Sequence, residues 1–151
     1  MIRIICIGHL KEKYLQEASS EYFKRLKKYT NIEIIELDDF KLDNSNISLE
    51  KEACLIEKKL NSKDYLVALD IEGRQFTSQE FSDELNKMMI NNSNITFLIG
   101  SSHGISNRIK ERANLKLSFS KMTFPHQLFR VILLEQLYRS FKILNNERYH
   151  K

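Results

Sequence analysis

The stretch LSFSKMTFPHQLFRVILLEQLYRSFKIL, residues 117–144, decides the fold. It holds the chain's only proline, one of its four histidines and its longest apolar run. It reads as a short strand, a tight polar loop closed by Pro125, and then a long helix. At about 100° per residue, Leu128, Val131, Leu134, Leu137, Phe141 and Leu144 do not form one narrow stripe. Phe129, Ile132, Leu133, Tyr138 and Ile143 fill most of the remaining circumference. This pattern predicts a helix buried on several sides, by its own domain and by a second subunit. Glu135 and Arg139, spaced i, i+4, share one face of it, where charges are costly unless paired or used.

Upstream of this stretch, strand and helix signals alternate. Residues 2–8 are an apolar run of strand length. Leu15, Ala18, Tyr22, Leu26 and Tyr29 recur at helical spacing over residues 13–29. Residues 31–38 predict a second strand, 39–48 a polar loop, and 49–60 a helix with Leu49, Ala53, Ile56 and Leu60 on its apolar face. Residues 65–71 (YLVALDI) predict a strand that Glu72, Gly73 and Arg74 turn out of. Thr77 and Glu80 fit a capping box opening the next helix. Residues 95–99 form another strand ended by Gly100, a loop leads to a helix near 105–113, and 115–120 form the last strand. The alternation predicts an α/β sandwich with a mostly parallel sheet flanked by helices, in one domain spanning residues 1–151.

The composition is that of an ordinary globular chain: 151 residues, 42% hydrophobic and 29% charged. No segment approaches the length of an apolar membrane span, and the opening MIRIICIG is too short for a signal-peptide core. Cys6 and Cys54, far apart, form neither a disulfide framework nor a zinc site, and predict reduced thiols in the cytoplasm. A net charge of +4 permits an RNA partner without requiring one. Histidines and carboxylates nowhere show metal-ligand spacing, so no metal is expected.

Open α/β sheets bind ligands at the carboxyl ends of their strands. Here those ends are Leu69-Asp70-Ile71, Ile99-Gly100-Ser101 and Phe119-Ser120-Lys121. If the three strands are neighbours, the ends form one crevice, where Gly100 and Gly104 let backbone approach a ligand closely. The GSSHGIS segment is neither a Walker A loop nor a GxGxxG fingerprint, which favours a nucleoside held by backbone groups over a bound phosphate. His9 and His103 lie in loops, and His126 follows Pro125 where it can orient the helix start.

With these residues in place, the sequence resembles the ribosomal RNA large-subunit methyltransferase H family of the SPOUT class. The likeness rests on SFSKMTFPHQLFRVILLEQLYRSFKI, the terminal RYHK, LDIEGR at 69–74, FLIG at 97–100 and the start IGHLKEKY at 7–14. The resemblance implies a C-terminal trefoil knot, bound S-adenosylmethionine, and a homodimer with composite active sites. It also implies methylation of N3 of a pseudouridine in the helix-69 loop of 23S rRNA, on assembled ribosomes. By position, cofactor contacts are expected from Leu69, Gly100, Phe119, Ser120, Lys121, Met122, Thr123 and Phe124. The family usually has a second glycine where this chain has Ser101, while Gly104 is kept.

Removal of the N3 proton calls for a base or for a cation that favours the anion. The expectation for Arg139 is stabilisation of that anion, with Glu135 orienting it. Tyr149 and His150 are expected to reach the target nucleotide from the partner's tail. The alternative for Glu135 and Arg139 is a structural ion pair across the dimer interface. His126 and Arg130 are expected to shape the loop or bind RNA phosphate. Two rival functions are a SPOUT methyltransferase with another RNA target and a non-catalytic ribosome-binding protein.

Overall fold

The computed structural model describes residues 1–149. Five strands build one sheet: β1 (Ile2–Ile7), β2 (Ile32–Leu37), β3 (Tyr65–Gln75), β4 (Ile95–Ile99) and β5 (Leu115–Ser118). Their order is β2-β1-β4-β3-β5, and every named pair is parallel. The helices are α1 (Lys13–Leu26), α2 (Ser45–Glu57), α3 (Ser78–Asn91), α4 (Asn107–Arg112) and α5 (His126–Leu144). The α/β reading is therefore correct, and among the named strands the sheet is wholly parallel.

Strands β1 and β4 are buried at every residue, because parallel strands covered on both faces read as continuous apolar runs. Side chains alternate between two cores. Ile4, Cys6, Val67 and Phe97 meet Leu26 of α1, Phe81 and Leu85 of α3, and Leu133, Leu134 and Leu137 of α5. Ile5, Ile7, Ala68 and Leu98 meet Ala53 and Ile56 of α2 and Ile109 of α4. Helix α5 lies between α1 and α3 on the first face. Arg3, inside β1, is buried because Asp64 (3.0 Å), Glu33 (3.3 Å) and the Lys59 carbonyl (3.1 Å) accept from it.

Several boundaries differ from the sequence expectation, and three of them have a visible cause. Helix α2 begins at Ser45 because the Asn44 side chain accepts from the backbone N–H groups of Asn46 and Ile47. The last strand ends at Ser118, where the Ser118 hydroxyl donates to the Ser120 carbonyl (2.9 Å). Strand β3 does not end at Ile71: residues 70–73 leave the ladder, and both Leu69 and Arg74 pair with Leu117. Gly73 is required at this crossing, since a Cβ there would lie 2.6 Å from the Lys116 backbone carbon. The Thr77–Glu80 capping box is present with both reciprocal bonds.

Candidate active site

Strands β4, β3 and β5 are neighbours, so their carboxyl ends share one crevice. A cavity of about 140 Å³ occupies it. Its walls come from the three segments that follow these strands and from the first turn of α5. Leu69, Gly100, Phe119, Ser120, Met122, Thr123 and Phe124 all line it, together with Asp70, Ser101, Gly104, His126 and Phe129. Lys121 is the one expected cofactor residue that does not line the cavity; its side chain is exposed.

The sequence dictates this geometry locally. The Gly104 carbonyl packs against Gly100 so tightly that a Cβ at Gly100 would sit 2.2 Å from its oxygen. Gly104 itself holds φ +86, a left-handed conformation natural to glycine. The N–H of Gly104 donates to the Ser101 carbonyl (2.9 Å), closing a turn over residues 101–104. In the 119–124 segment, the Met122 N–H donates to the Ser120 hydroxyl (2.9 Å). Phe119 and Phe124 pack against Phe129 at ring separations of 5.2 and 6.0 Å, giving the cavity an aromatic wall. The Asp70 carboxylate is neutralised by Lys110 (3.0 Å).

Beside the cavity, Arg130 is nearly fully buried, paired with Glu36 and donating to the Gly8 carbonyl (3.0 Å). These bonds tie α5 to the ends of β1 and β2. His126 packs against Gly8, and burial lowers its pKa, favouring the neutral imidazole. His9 bridges Glu36 (2.9 Å) and Asp38 (3.0 Å).

Glu135 and Arg139 lie elsewhere. Neither lines the cavity, and from Phe129 they are about 9 and 15 Å further along the axis at 1.5 Å per residue. Glu135 accepts from Arg139 (2.5 Å), from the Gln136 side chain (2.7 Å) and from the Tyr149 hydroxyl (3.1 Å), all in its own chain. The ion pair is thus formed within one helix. The Tyr149 ring lies under the Arg139 guanidinium (4.8 Å) and against Tyr138 (5.0 Å), and its hydroxyl is 3.5 Å from that of Tyr22. Burial, the Tyr22 contact and the Glu135 charge raise the Tyr149 pKa, so this phenol is a donor near neutral pH. Tyr149 thus packs on α5 of its own chain, and His150 falls outside the described residues.

The face of α5 opposite its buried stripe carries Leu128, Val131, Ile132, Glu135, Arg139 and Ile143, none fully buried. Among the described residues no helix is long and apolar enough to cross a membrane. None of their His, Cys, Asp and Glu groups of three or more could hold a metal ion. Sequence reasoning missed His126 and Phe129 as cavity walls. Their i, i+3 spacing just after Pro125 is the signal, because it puts both on the same side of the first helical turn.

Residues 1–150 match the family model described as "Predicted SPOUT methyltransferase". The chain is 52% identical over 157 residues to the ribosomal RNA large subunit methyltransferase H of Clostridium botulinum (strain Hall), covering 99% of each chain. It is 49% identical over 155 residues to the protein of the same name from Natranaerobius thermophilus, covering 98% of each. It is 51% identical over 157 residues to ribosomal RNA large subunit methyltransferase H 1 of Clostridium perfringens, covering 99% of each. With its parallel α/β sheet, its strand-end cavity and this likeness along nearly the whole chain, the protein belongs to the SPOUT methyltransferase family, in the group of ribosomal RNA large subunit methyltransferase H.

Proposed function

We propose that this protein methylates N3 of a pseudouridine in the helix-69 loop of 23S rRNA, on assembled ribosomes in the cytoplasm, using S-adenosylmethionine. The observation that carries the reading is the convergence of seven expected cofactor residues on one cavity at the strand ends. The residues suit the cofactor: glycine backbone where a Cβ has no room, an aromatic wall, and hydrogen-bonding main chain from three segments. When bound there, S-adenosylmethionine supplies an electrophilic methyl carbon on a sulfonium that departs as a neutral thioether.

Leu69, Gly100, Ser101 and the 119–124 segment hold and orient the cofactor, while Phe119, Phe124 and Phe129 exclude water. With the cofactor bound, the transfer would form the N3–carbon bond at the expense of the carbon–sulfur bond, and the N3 proton would leave to solvent or a base. Arg139 stabilises the negative charge on the pseudouridine ring during this loss. Glu135 fixes the Arg139 guanidinium, and Tyr149 with His150 contacts the target nucleotide.

One chain separates its cavity from the Glu135–Arg139–Tyr149 cluster, so the active form is a homodimer with composite sites. The half-open apolar face of α5 supports that assembly, because Leu128, Val131, Ile132 and Ile143 gain burial against a second copy. The C-terminal part is threaded as a trefoil knot, a reading supported by the match of residues 1–150 to the SPOUT methyltransferase family.

The test combines calorimetry with S-adenosylmethionine and methyl transfer to ribosomes that lack the modification, mapped by mass spectrometry. Binding followed by a methyl group on N3 of the helix-69 pseudouridine is the expected result. A methyl group elsewhere in the RNA would establish a different target for the same chemistry. Absence of cofactor binding would make the protein a ribosome-binding member of the family.

A further inference from the structure

Glu52 of α2 is a buried carboxyl that the methyl-transfer chemistry does not use, and only 2% of its surface is exposed. Its two oxygens serve two different segments. Oε2 accepts from the Ser101 hydroxyl (2.9 Å), and Oε1 accepts from the Phe40 backbone N–H (3.1 Å). Ser101 is the first residue after Gly100 on the cavity wall, and its hydroxyl also accepts from the His103 N–H (3.3 Å). Phe40 belongs to the segment between β2 and α2. That segment is held a second time by Leu42, whose N–H donates to the buried Ser48 hydroxyl (3.2 Å). It lies close to the cavity as well, since His126 on the cavity wall feels the charges of Asp39, Lys41 and Glu52.

We propose that Glu52 is a positioning residue that locks the Ser101–Gly104 turn of the cofactor cavity to the segment around Phe40. The physical basis is the cost of leaving a buried carboxyl oxygen without a donor. With both donors in place, the turn and the segment each hold the carboxyl in the orientation the other needs. Loss of either donor frees the carboxyl to rotate, and the remaining segment loses its anchor. A ligand pressing on Ser101 and Gly104 therefore orders the segment around Phe40, and disorder there loosens the cavity wall. The serine found where glycine is usual in this family supplies the side-chain donor. The inference rests on the reading of the cavity as the S-adenosylmethionine site.

The test uses the full chain with Ser101→Ala, Glu52→Ala and the double substitution, and Glu52→Gln as the conservative variant. Calorimetry reads S-adenosylmethionine affinity, and amide hydrogen exchange reads the Phe40 N–H. Each single alanine substitution is expected to weaken cofactor affinity about fivefold to tenfold, the worth of one buried hydrogen bond. The double variant is expected to be no weaker than the worse single one, because both remove the same link. Glu52→Gln should recover part of the affinity. In the ligand-free protein Ser101→Ala should speed Phe40 exchange, and in the parent S-adenosylmethionine should slow it.

Unchanged affinity in Ser101→Ala, or additive losses in the double variant, would overturn the proposal. If Glu52→Ala does not fold, Ser101→Ala alone decides. If the parent binds no S-adenosylmethionine, the cofactor reading fails; faster Phe40 exchange in ligand-free Ser101→Ala would then still support the lock, and unchanged exchange would refute it.

Discussion

Arg139 donates to Glu135 from one helical turn further along α5, at 2.5 Å. The pair is intrahelical, and Tyr149 completes it by donating to the same Glu135 oxygen. The two side chains are only 24% and 18% exposed. A role in stability alone would therefore show as a lower melting temperature, and not as slower methyl transfer by the folded protein. Arg139→Ala is expected to keep the fold and S-adenosylmethionine affinity while lowering methyl transfer by about 100-fold or more, the range for removing a charge-stabilising donor. Labelled methyl incorporation into ribosomes, measured beside calorimetry, checks this. A rate within a few-fold of the parent would return the pair to a structural role.

The Tyr149 prediction separates the tail from the cavity. Shortening the chain by residues 149–151 removes the Tyr149 hydroxyl and ring from the Glu135–Arg139 pair. None of the cavity lining is lost. Cofactor affinity should remain nearly intact and turnover should vanish. Persistent turnover after the deletion would exclude the tail from the reaction.

His9 gives a pH-dependent contribution to stability. Its two ring nitrogens face two carboxylates, Glu36 and Asp38, and only the imidazolium can donate to both. Hydrogen bonding to Asp38, and next to Glu36, raises the His9 pKa above its ordinary 6.5. Because the folded state binds the proton more tightly than the unfolded chain, the stabilisation is fully present below the unfolded pKa. It is lost as pH rises through the higher folded value. Thermal melts of the parent and His9→Asn should differ most in mildly acidic solution and converge at alkaline pH. A difference that grows with pH would contradict the pairing.

The sheet and the crevice were legible because continuous apolar runs mark parallel strands buried on both faces, and ligand sites follow strand ends. Residues 95–99 are the plainest case, where every residue of the predicted strand is buried. The start of α2 was less visible, since Asn44, Ser45, Asn46 and Ser48 read as loop. In the fold Asn44 caps the helix, and Ser48 is buried against the Leu42 N–H. The end of β3 was misread because Glu72-Gly73-Arg74 has turn chemistry, while the partner that draws Arg74 back into the sheet is 43 residues away in β5. Periodicity is a local signal. Links such as Glu52 to Ser101, Arg130 to Gly8 and Tyr149 to Tyr22 join distant segments, and only the assembled sheet brings them together.

The two cysteines should differ in reactivity for reasons of burial alone. Cys6 lies in β1 at 1% exposure, and burial pushes its thiol pKa up to about 11. Cys54 is on the exposed side of α2. The thiolate is the reactive form, so native protein should show one fast thiol with an aromatic disulfide reagent, and Cys54→Ser should remove it. Cys6 should react only after denaturant opens the core. Two fast thiols in the native protein would mean that β1 is far less protected than its packing implies.

Gly73 is the most demanding backbone position outside the cavity. An added Cβ would meet the Lys116 carbon at 2.6 Å and the Leu117 nitrogen at 2.7 Å, and both are main-chain atoms that no rotamer change can move aside. Gly73→Ala must therefore push the 70–73 excursion away from β5, breaking the Arg74–Leu117 and Gln75–Ser118 pairings. Those pairings flank Leu69, Asp70, Leu117 and Ser118 on the cavity wall. The substitution should destabilise the fold by about 1–3 kcal/mol, typical of overpacking, and reduce S-adenosylmethionine binding beyond that of a variant equally destabilised at a remote site. Thr77→Ala is a suitable control, because loss of that helix cap costs about 1 kcal/mol on the far side of Gln75. Urea unfolding ranks the two variants and calorimetry reads the cavity. Equal affinities at matched stability would show that the crossing holds the sheet edge without shaping the cofactor cavity.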